Sequence, residues 1–356
     1  MPLNPFIYQA QPIRVVFGTG SLQQLPEEVA RLNGQRALIL STPGQIKLAR
    51  QVSELLGGNA AGIYDQAKMH VPLEIARDAQ AHAEQLQADC LIAIGGGSTT
   101  GLAKAIALET SLPIIVIPTT YAGSEMTAVY GITTQQSKKT GKDPRVLAKT
   151  VIYDPALTVQ LPLEVSMTSG INAIAHAAEG LYAQDGNPIM NLLAQEGIRA
   201  LAQGMKQLQE DSADLDARSQ CLYGAWLCGT VLGNVGMALH HKLCHTLGGS
   251  FNLPHAATHT ILLPHTIAFN EVARPEITPI ISHALGKPTL SAGQALFDFI
   301  QDINAPTRLQ DLDFQAADLE KAATLALANP YWNPRPFTQQ DLVTLLEQAY
   351  TGTRPL

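Results

Sequence analysis

The sequence predicts a two-domain chain in which a parallel α/β domain precedes an all-helical domain. Short β-branched runs alternate with Ala/Leu/Gln-rich stretches of helical length up to about residue 160, the pattern of a parallel sheet flanked by helices. From residue 163 onward long amphipathic segments dominate, and no strand pattern is found. A chain of 356 residues also exceeds the usual span of one domain. We therefore predict an α/β domain over residues 1–161 and an all-α domain over residues 162–356.

Five apolar runs supply the predicted strands of the sheet. In chain order they are IRVVF, RALILS, AAGIY, CLIAIG and PIIVIPTT, each bounded by Gly, Pro or polar residues. Two further runs, VYGIT and KTVIYD, flank the polar segment TQQSKKTGKDPR. We expect these two runs to pair as a β-ribbon attached to the sheet.

The composition excludes several classes of protein. The chain is 46% hydrophobic and 15% charged with a formal net charge of −7, so it has a substantial core and no basic surface for nucleic acid. The N-terminus lacks a signal-peptide pattern, and no run of about 18 apolar residues occurs. We expect a cytoplasmic protein with no membrane partner. Its four cysteines form no CxxC pair, which predicts reduced, buried thiols rather than a zinc ribbon or disulfides.

The first motif with a chemical meaning is LIAIGGGSTTGLAK, residues 91–104. A strand there runs into three glycines, a serine and a helix, so the backbone can approach a phosphate and the helix directs N–H groups at it. The segment IPTTYAGSEMT, residues 117–127, places hydroxyl residues at the end of a second strand. The alternative is a tight strand-to-helix turn that binds no ligand. The candidate cofactor-binding residues are Gly95, Gly96, Gly97, Ser98, Thr119, Thr120, Ser124 and Thr127.

Thr42 bears on the choice of cofactor. It follows the strand RALILS, about where many dinucleotide enzymes carry an acidic residue that binds the ribose 2′-hydroxyl and repels a 2′-phosphate. We therefore expect the chain to accept NADPH as well as NADH.

The second constellation is a concentration of histidines in the helical half. Asn172 and His176 are four residues apart, as are His241 and His245, and His255 follows a Gly-Gly loop. This spacing puts each pair on one face of a helix, which favours a shared site. The alternative for any single histidine is a core or surface residue satisfied by hydrogen bonds. We keep that interpretation for His240, His259, His265 and His283.

The ordered set of motifs resembles the iron-containing (group III) alcohol dehydrogenase family. The resemblance covers nearly the whole chain and rests on VVFGTGSL, GGGS with Lys104 after it, IPTTYAGSEMT, DPAL, SGINAIAHAAEG, HHKLCHTLGGSFNLPHA and NPRPFT. It implies an N-terminal Rossmann-like domain for the dinucleotide and a C-terminal helical domain, the dehydroquinate synthase-like fold. It also implies an active site in the cleft between the domains and a homodimer.

The chain departs from this family at the metal-binding positions. In metal-dependent members an Asp-Ala-x-x-His motif supplies an aspartate that holds iron or zinc together with three histidines. Here Asn172 stands at the aspartate, whereas His176, His241 and His255 match the histidines, and Gly101 stands at another usual aspartate. This pattern is similar to that of the maleylacetate reductases within the family. We therefore expect no metal requirement, with the same three histidines as ligands if a metal binds.

The resemblance implies NAD(P)H-dependent reduction of the C=C bond of maleylacetate to 3-oxoadipate, late in aromatic and chloroaromatic degradation. Hydride addition to such a conjugated alkene builds charge on the ketone oxygen and leaves a carbon to be protonated. His245 matches a family position outside the metal shell and is the predicted proton donor. The other candidate catalytic residues are His176, His241, His255 and Asn172. The candidate substrate-wall residues, for which interface packing is the alternative, are Phe251, Asn252, Tyr331 and Arg335.

Two other functions remain open from the sequence. One is a metal-dependent alcohol dehydrogenase or aldehyde reductase of the same family, which should contain stoichiometric iron or zinc. The other is a sugar-phosphate cyclase or lyase on the related scaffold, which would consume no net NADH. For the preferred function the only partners expected are a small dianionic substrate and a second copy of the chain.

Overall fold

A computed structural model of the chain describes residues 5–134, 138–328 and 331–356. These residues divide into two compact units. One unit spans Ala10–Leu161, and the other spans Pro162–Leu356 together with residues 5–9. The division falls between Leu161 and Pro162, the point at which the strand pattern of the sequence ends.

The first unit is built on a parallel sheet. Its strands are β1 (Arg14–Phe17), β2 (Ala37–Leu40), β3 (Ala60–Tyr64), β4 (Cys90–Gly95), β5 (Ile114–Pro118), β6 (Val129–Thr133), β7 (Lys138–Lys142) and β8 (Thr150–Tyr153). Six of them form one sheet in the order β1-β8-β5-β4-β2-β3, with every neighbouring pair parallel. Every residue of β4 and β5 is buried, which explains why these strands read as unbroken apolar runs. Its helices are α1 (Leu25–Arg31), α2 (Ile46–Leu56), α3 (Leu73–Gln85) and α4 (Gly97–Thr110).

The five strands predicted for the sheet are confirmed, but the predicted ribbon is wrong in its second strand. VYGIT forms β6, which pairs antiparallel with β7 from within the polar segment. The run KTVIYD instead contains β8, which lies in the main sheet between β1 and β5. All four residues of β8 are buried, so its apolar side chains are satisfied in the sheet rather than in an exposed ribbon. Residues 135–137, in the polar segment, lie outside the described residues.

The second unit is helical, and its described residues contain no strand. Its helices are α5 (Leu163–Gly180), α6 (Pro188–Glu210), α7 (Leu215–Asn234), α8 (Leu239–Phe251), α9 (His255–Glu271), α10 (Ile277–Ala284), α11 (Ala292–Asp302), α12 (Leu319–Leu327) and α13 (Gln339–Thr351). Helix α5 is buried at every residue from 166 to 180, because α6, α7 and α9 pack around it. Side chains of α5 therefore point into the interior of this unit.

Helices α8 and α9 are joined by a sharp turn. Asn252 ends α8 in the left-handed conformation with φ 56°, which asparagine tolerates better than most residues. Pro254 then precedes the first residue of α9, His255. The two helices pack against each other, so the histidines of both lie close together.

No single described helix is long and apolar enough to cross a membrane. Helices α7 and α8 are long and apolar enough only when they are taken together, and they are bent by 97° where they meet.

Candidate active site

The glycine loop begins where β4 ends. Gly95 adopts φ +141°, a conformation that L side chains rarely adopt. Gly96 precedes the first residue of α4, and no described side chain caps this helix end. A Cβ atom added to Gly97 would meet no described atom within 4 Å. The N–H groups of the first turn of α4 therefore face open space, the arrangement that binds phosphate at a helix N-terminus.

The loop after β5 lies directly against the glycine loop. The backbone N–H of Thr119 donates to the Gly95 carbonyl at 2.9 Å, and a Cβ on Gly96 would lie 3.0 Å from Thr120 Cγ2. Gln45, in the turn after β2, is bonded to the loop after β5, because its Nε2 donates to Thr119 Oγ1 at 2.8 Å. Sequence analysis missed Gln45, although its place after β2, two residues beyond a proline, puts it at the same sheet edge as Thr42.

The segment that follows is fixed by a buried lysine. Lys104 Nζ donates to the Ser124 carbonyl at 2.7 Å, to Thr127 Oγ1 at 2.9 Å and to the Val129 carbonyl at 2.8 Å. Burial lowers the pKa of Lys104 to about 7, and the charge of Glu125 opposes this shift. Thr127 is itself buried and donates to the Ser124 carbonyl. Its hydroxyl is thus part of an internal network, and its predicted contact with cofactor stays a prediction.

In the helical unit, three helices bring the predicted histidines together. His176 on α5 and His241 on α8 are hydrogen-bonded, with 2.8 Å between Nδ1 and Nε2. The His241 and His245 rings lie 6.2 Å apart, and those of His245 and His255 stack at 6.4 Å with an interplanar angle of 18°. Asn172 is buried one helical turn before His176. The five candidate catalytic residues therefore lie in one region of this unit.

These side chains differ in exposure. His176 and His241 are buried, His255 is half-buried and His245 is exposed. The series of rings thus runs from the interior to a position that solvent reaches, which suits His245 to exchange protons with water.

The structure adds Glu179, which sequence analysis missed. Its side chain is fully buried on α5, three residues after His176. One carboxylate oxygen accepts from His241 Nδ1 at 2.5 Å. The chain therefore does place a carboxylate beside the histidines, but this carboxylate contacts His241 at Nδ1, the ring nitrogen that does not contact His176. The motif SGINAIAHAAEG contained this signal, because His176 and Glu179 are three residues apart on one helix face.

Two histidines that we had assigned no site role also lie in this region. His240 and His259 are buried, and the His259 ring lies 4.4 Å from that of His255. His240 Nδ1 contacts Thr266 Oγ1 at 3.0 Å, and its Nε2 contacts His259 Nδ1 at 2.9 Å. Burial lowers the pKa of both histidines well below the usual range. His255 and His259 are four residues apart, a spacing that could have identified His259.

The hydrogen-bond partners of His240 and His259 indicate which of their ring nitrogens carry protons. The Thr266 hydroxyl donates to backbone carbonyls of its own helix, so its oxygen accepts from His240 Nδ1–H. A neutral His240 then accepts at Nε2 from His259 Nδ1–H. Cys244 Sγ lies 3.6 Å from the same His240 nitrogen, and burial raises the pKa of its thiol. The possible ligand atoms of His240, Cys244 and His259, all within 4.8 Å of one another, thus form a protonated network rather than a ready metal site.

Three of the four candidate wall residues have packing partners within this unit. Phe251 packs edge-on against Phe314, and the Arg335 guanidinium lies 4.0 Å from the centre of the Phe269 ring. Tyr331 lies against a core cluster. The fourth candidate, Asn252, is exposed at the end of α8. The predicted contact of all four with substrate stays a prediction.

Comparisons with known proteins match both units. The family model described as iron-containing alcohol dehydrogenase matches residues 12–155, and the model for the C-terminal part of the same family matches residues 166–350. A maleylacetate reductase from Burkholderia cepacia is 54% identical over 99% of this chain and 100% of its own length.

Two solved structures resemble the whole chain. The crystal structure of a maleylacetate reductase from Agrobacterium tumefaciens has a TM-score of 0.95 at 50% identity, over 99% of this chain and 100% of that one. That of an iron-containing alcohol dehydrogenase from Corynebacterium glutamicum has a TM-score of 0.94 at 42% identity, over 99% and 98%. The chain therefore belongs to the iron-containing alcohol dehydrogenase family and groups within it with the maleylacetate reductases.

Proposed function

We propose that the chain is a maleylacetate reductase that uses NADH or NADPH to reduce the C=C bond of maleylacetate to 3-oxoadipate. The observation that carries the proposal is the group of His176, His241, His245 and His255, in which Asn172 stands where metal-dependent relatives have an aspartate. Full-length relatives at 54% and 53% identity that are maleylacetate reductases support the same substrate.

The reaction needs donors for one oxygen and a proton for one carbon. Hydride adds to the alkene carbon distal to the ketone, so negative charge develops on the ketone oxygen as an enolate, and the carbon adjacent to the ketone then takes a proton. Hydrogen-bond donors at an enolate oxygen stabilise the transition state. We assign this task to His255 and to His176, which donates from Nε2 when it carries a second proton, with His241 as the hydrogen-bond partner that holds His176. Protonation of the carbon is assigned to His245, whose exposure allows it to regain a proton from water.

The nicotinamide dinucleotide is expected at the glycine loop. The uncapped N-terminus of α4 and the open space at Gly97 suit the pyrophosphate. Thr42, which precedes the turn Pro43–Gln45 after β2, brings no negative charge to the ribose. This supports the use of NADPH alongside NADH. The proposed reaction needs both a dinucleotide at the glycine loop and the histidines of the helical unit.

The residues present are a poor fit for the iron that the family name implies. Three imidazoles are available, but position 172 offers a neutral amide instead of a carboxylate. Glu179 does not replace it, because its oxygens are occupied by the His241 ring and by backbone N–H groups. An all-neutral donor set attracts a divalent cation less than one with a carboxylate. We therefore propose that no metal is required.

The remaining expectations concern assembly and location. A reductase that consumes NADH or NADPH and a free dianion is expected to work in the cytoplasm, and we propose a homodimer. Sedimentation of the purified protein tests the dimer.

The deciding experiment follows NADH absorbance after maleylacetate is added. The proposal expects substrate-dependent oxidation of NADH that survives exhaustive dialysis against EDTA. Loss of most activity, restored by iron or zinc, would instead indicate the metal-dependent dehydrogenase. A sugar-phosphate cyclase would show no net consumption of NADH.

A variant pair sharpens the metal test. Asn172→Asp should raise the affinity for zinc without improving turnover of maleylacetate, because the new carboxylate opposes a dianionic substrate. The same substitution at the exposed Asn304 is the control and should change neither property. An Asn172→Asp variant that binds zinc no better than the wild type would contradict the metal argument.

A further inference from the structure

We propose that Glu179 is a positioning residue that fixes the tautomer of His241 and, through it, the direction of the hydrogen bond between His241 and His176. Its effect on turnover rests on the proposed function, whereas its effect on the tautomer does not.

The Glu179 carboxylate is surrounded by hydrogen-bond donors. Its Oε1 accepts from the backbone N–H of His240 at 2.8 Å and from the Tyr182 hydroxyl at 3.4 Å. The Tyr182 oxygen in turn accepts from Asn270 Nδ2, which leaves its hydrogen for Glu179. Oε2 accepts from the His241 backbone N–H at 3.3 Å and contacts His241 Nδ1 at 2.5 Å. Glu179 thus has three partners that can only donate to it.

These contacts also place the carboxylate at a helix N-terminus. Helix α8 begins at Leu239, and no described side chain of its own N-cap residue, Ala238, caps it. The N–H groups of the next two residues, His240 and His241, would otherwise be unsatisfied. Glu179 caps them from α5, at the end of α8 where a negative charge interacts favourably with the helix dipole. The carboxylate is therefore held in place independently of the His241 side chain.

The direction of the histidine pair follows from this. The Glu179 carboxylate has no hydrogen to donate and accepts from both backbone N–H groups, so the contact with His241 Nδ1 is donated by the ring. A neutral His241 then has no proton on Nε2, so Nε2 accepts from His176 Nδ1–H at 2.8 Å. The protons all point from His176 through His241 towards Glu179. Each ring therefore has a single, defined tautomer, and the pair can donate to the substrate only from a second proton on His176 Nε2.

Replacing Glu179 by glutamine should reverse this direction. Glutamine keeps one acceptor oxygen, which is best placed at the Oε1 position because the backbone contact there is 2.8 Å, against 3.3 Å at Oε2. The amide nitrogen then lies next to His241 Nδ1 and donates to it. His241 must carry its proton on Nε2, and His176 Nδ1 must accept. The shape of the site is kept while both tautomers change.

The test uses protein labelled with ¹⁵N-histidine and the control variant Glu164→Gln. Glu164 lies on the same helix but is exposed. Protonated and unprotonated ring nitrogens have well-separated ¹⁵N shifts, and resonances are assigned from His241→Asn and His176→Asn. Carboxylates also orient histidines that ligate metals, so the protein is first dialysed against EDTA.

We expect His241 to be protonated at Nδ1 and unprotonated at Nε2 in the wild type and in Glu164→Gln, and the reverse in Glu179→Gln. The kcat for maleylacetate should fall about a hundredfold or more in Glu179→Gln with less than a tenfold change in KM, because the Nε2–H of His241 then points at His176 Nδ1 and opposes the second proton that His176 needs as a donor. Glu179→Asp keeps the negative charge. It should therefore keep the wild-type tautomer and lose less of kcat than Glu179→Gln does.

Two results would overturn the proposal. One is the absence of a proton on Nδ1 of His241 in the wild type, a measurement that does not depend on whether any variant folds. The other is a folded Glu179→Gln protein with wild-type kcat. If the wild type shows the expected tautomer but does not reduce maleylacetate, the proposed function fails while the assignment of Glu179 stands.

Discussion

Gly97→Ala separates a phosphate site from a glycine turn that serves only the fold. A Cβ at Gly97 would meet no described atom within 4 Å, and the residue begins α4 without a positive φ. Alanine there should leave the free energy of unfolding unchanged or raise it by up to about 1 kcal/mol, because glycine loses more backbone entropy on folding. Gly95 would not give so clear an answer. Its φ of +141° and the clash of an added Cβ with Gln45 Oε1 would strain any replacement.

The same methyl group should weaken the binding of NADH. If pyrophosphate sits on the first N–H groups of α4, a Cβ at Gly97 displaces it and weakens one charge-assisted hydrogen bond, worth about 1.5–3 kcal/mol. The dissociation constant should then rise about ten- to a hundredfold. Gly58→Ala is the matched control, because that exposed glycine also has open space around it and lies in a turn beyond α2.

The assay combines NADH fluorescence titration with urea denaturation for both variants. We expect Gly58→Ala to match the wild type in both measurements, and Gly97→Ala to match it only in stability. A stable Gly97→Ala variant that binds NADH as tightly as the wild type would show that the cofactor phosphates do not lie on this turn.

Four further outcomes are expected. His245→Asn should lower kcat about a hundredfold or more with little change in KM, because general acid catalysis is typically worth about 10² to 10⁴; an unchanged kcat would move the search for the acid to His241. A preference for NADH over NADPH beyond about a thousandfold, roughly 4 kcal/mol, would contradict the inference from Thr42. His265→Leu should flatten the loss of stability in acid. Burial lowers the pKa of His265 to about 4, and neither ring nitrogen has a hydrogen-bond partner among the described residues. Between pH 6.5 and 4 the unfolded chain therefore binds a proton at His265 that the folded chain does not bind. As the pH falls, this lowers the free energy of unfolding of the wild type by up to about 3 kcal/mol, which urea denaturation at several pH values measures. Lys104→Met removes the donor that three oxygens share, among them the buried Thr127 Oγ1, and should lower the free energy of unfolding by about 2–4 kcal/mol; a variant as stable as the wild type would contradict the role given to this lysine.

The sequence predicted the parts of the fold that depend on local pattern. The central strands β4 and β5 are apolar runs buried at every residue, so hydrophobicity alone identifies them. Strand β7 reads KKTGK, and its pairing with β6 depends on backbone hydrogen bonds that leave no hydrophobic pattern. The apolar run at β8 was therefore assigned to the ribbon in its place.

The candidate site was predictable to the extent that its residues are spaced along one helix. Asn172 and His176, or His241 and His245, are four residues apart and were identified for that reason. The bond between Glu179 and His241 joins residues 62 apart in the sequence, and only the packing of α8 on α5 creates it. Gln45 reaches Thr119 across 74 residues in the same way. Such contacts between distant residues have no spacing of their own in a single sequence, so only the positions of Glu179 near His176 and of Gln45 near Thr42 hinted at them.

The position of the carboxylate decides which ligand the group of His176, His241, His245 and His255 binds. A carboxylate at position 172 would face the same ligand as the histidines, and at an effective dielectric constant of 20 it would repel a substrate carboxylate about 4 Å away by about 4 kcal/mol. Glu179 lies behind His241 instead, bonded to the nitrogen that His176 does not use. Its charge therefore acts on the histidines and not directly on the ligand. A dianion is then attracted by oriented N–H donors, whereas a divalent cation finds no anionic ligand among the described side chains at the family's metal positions.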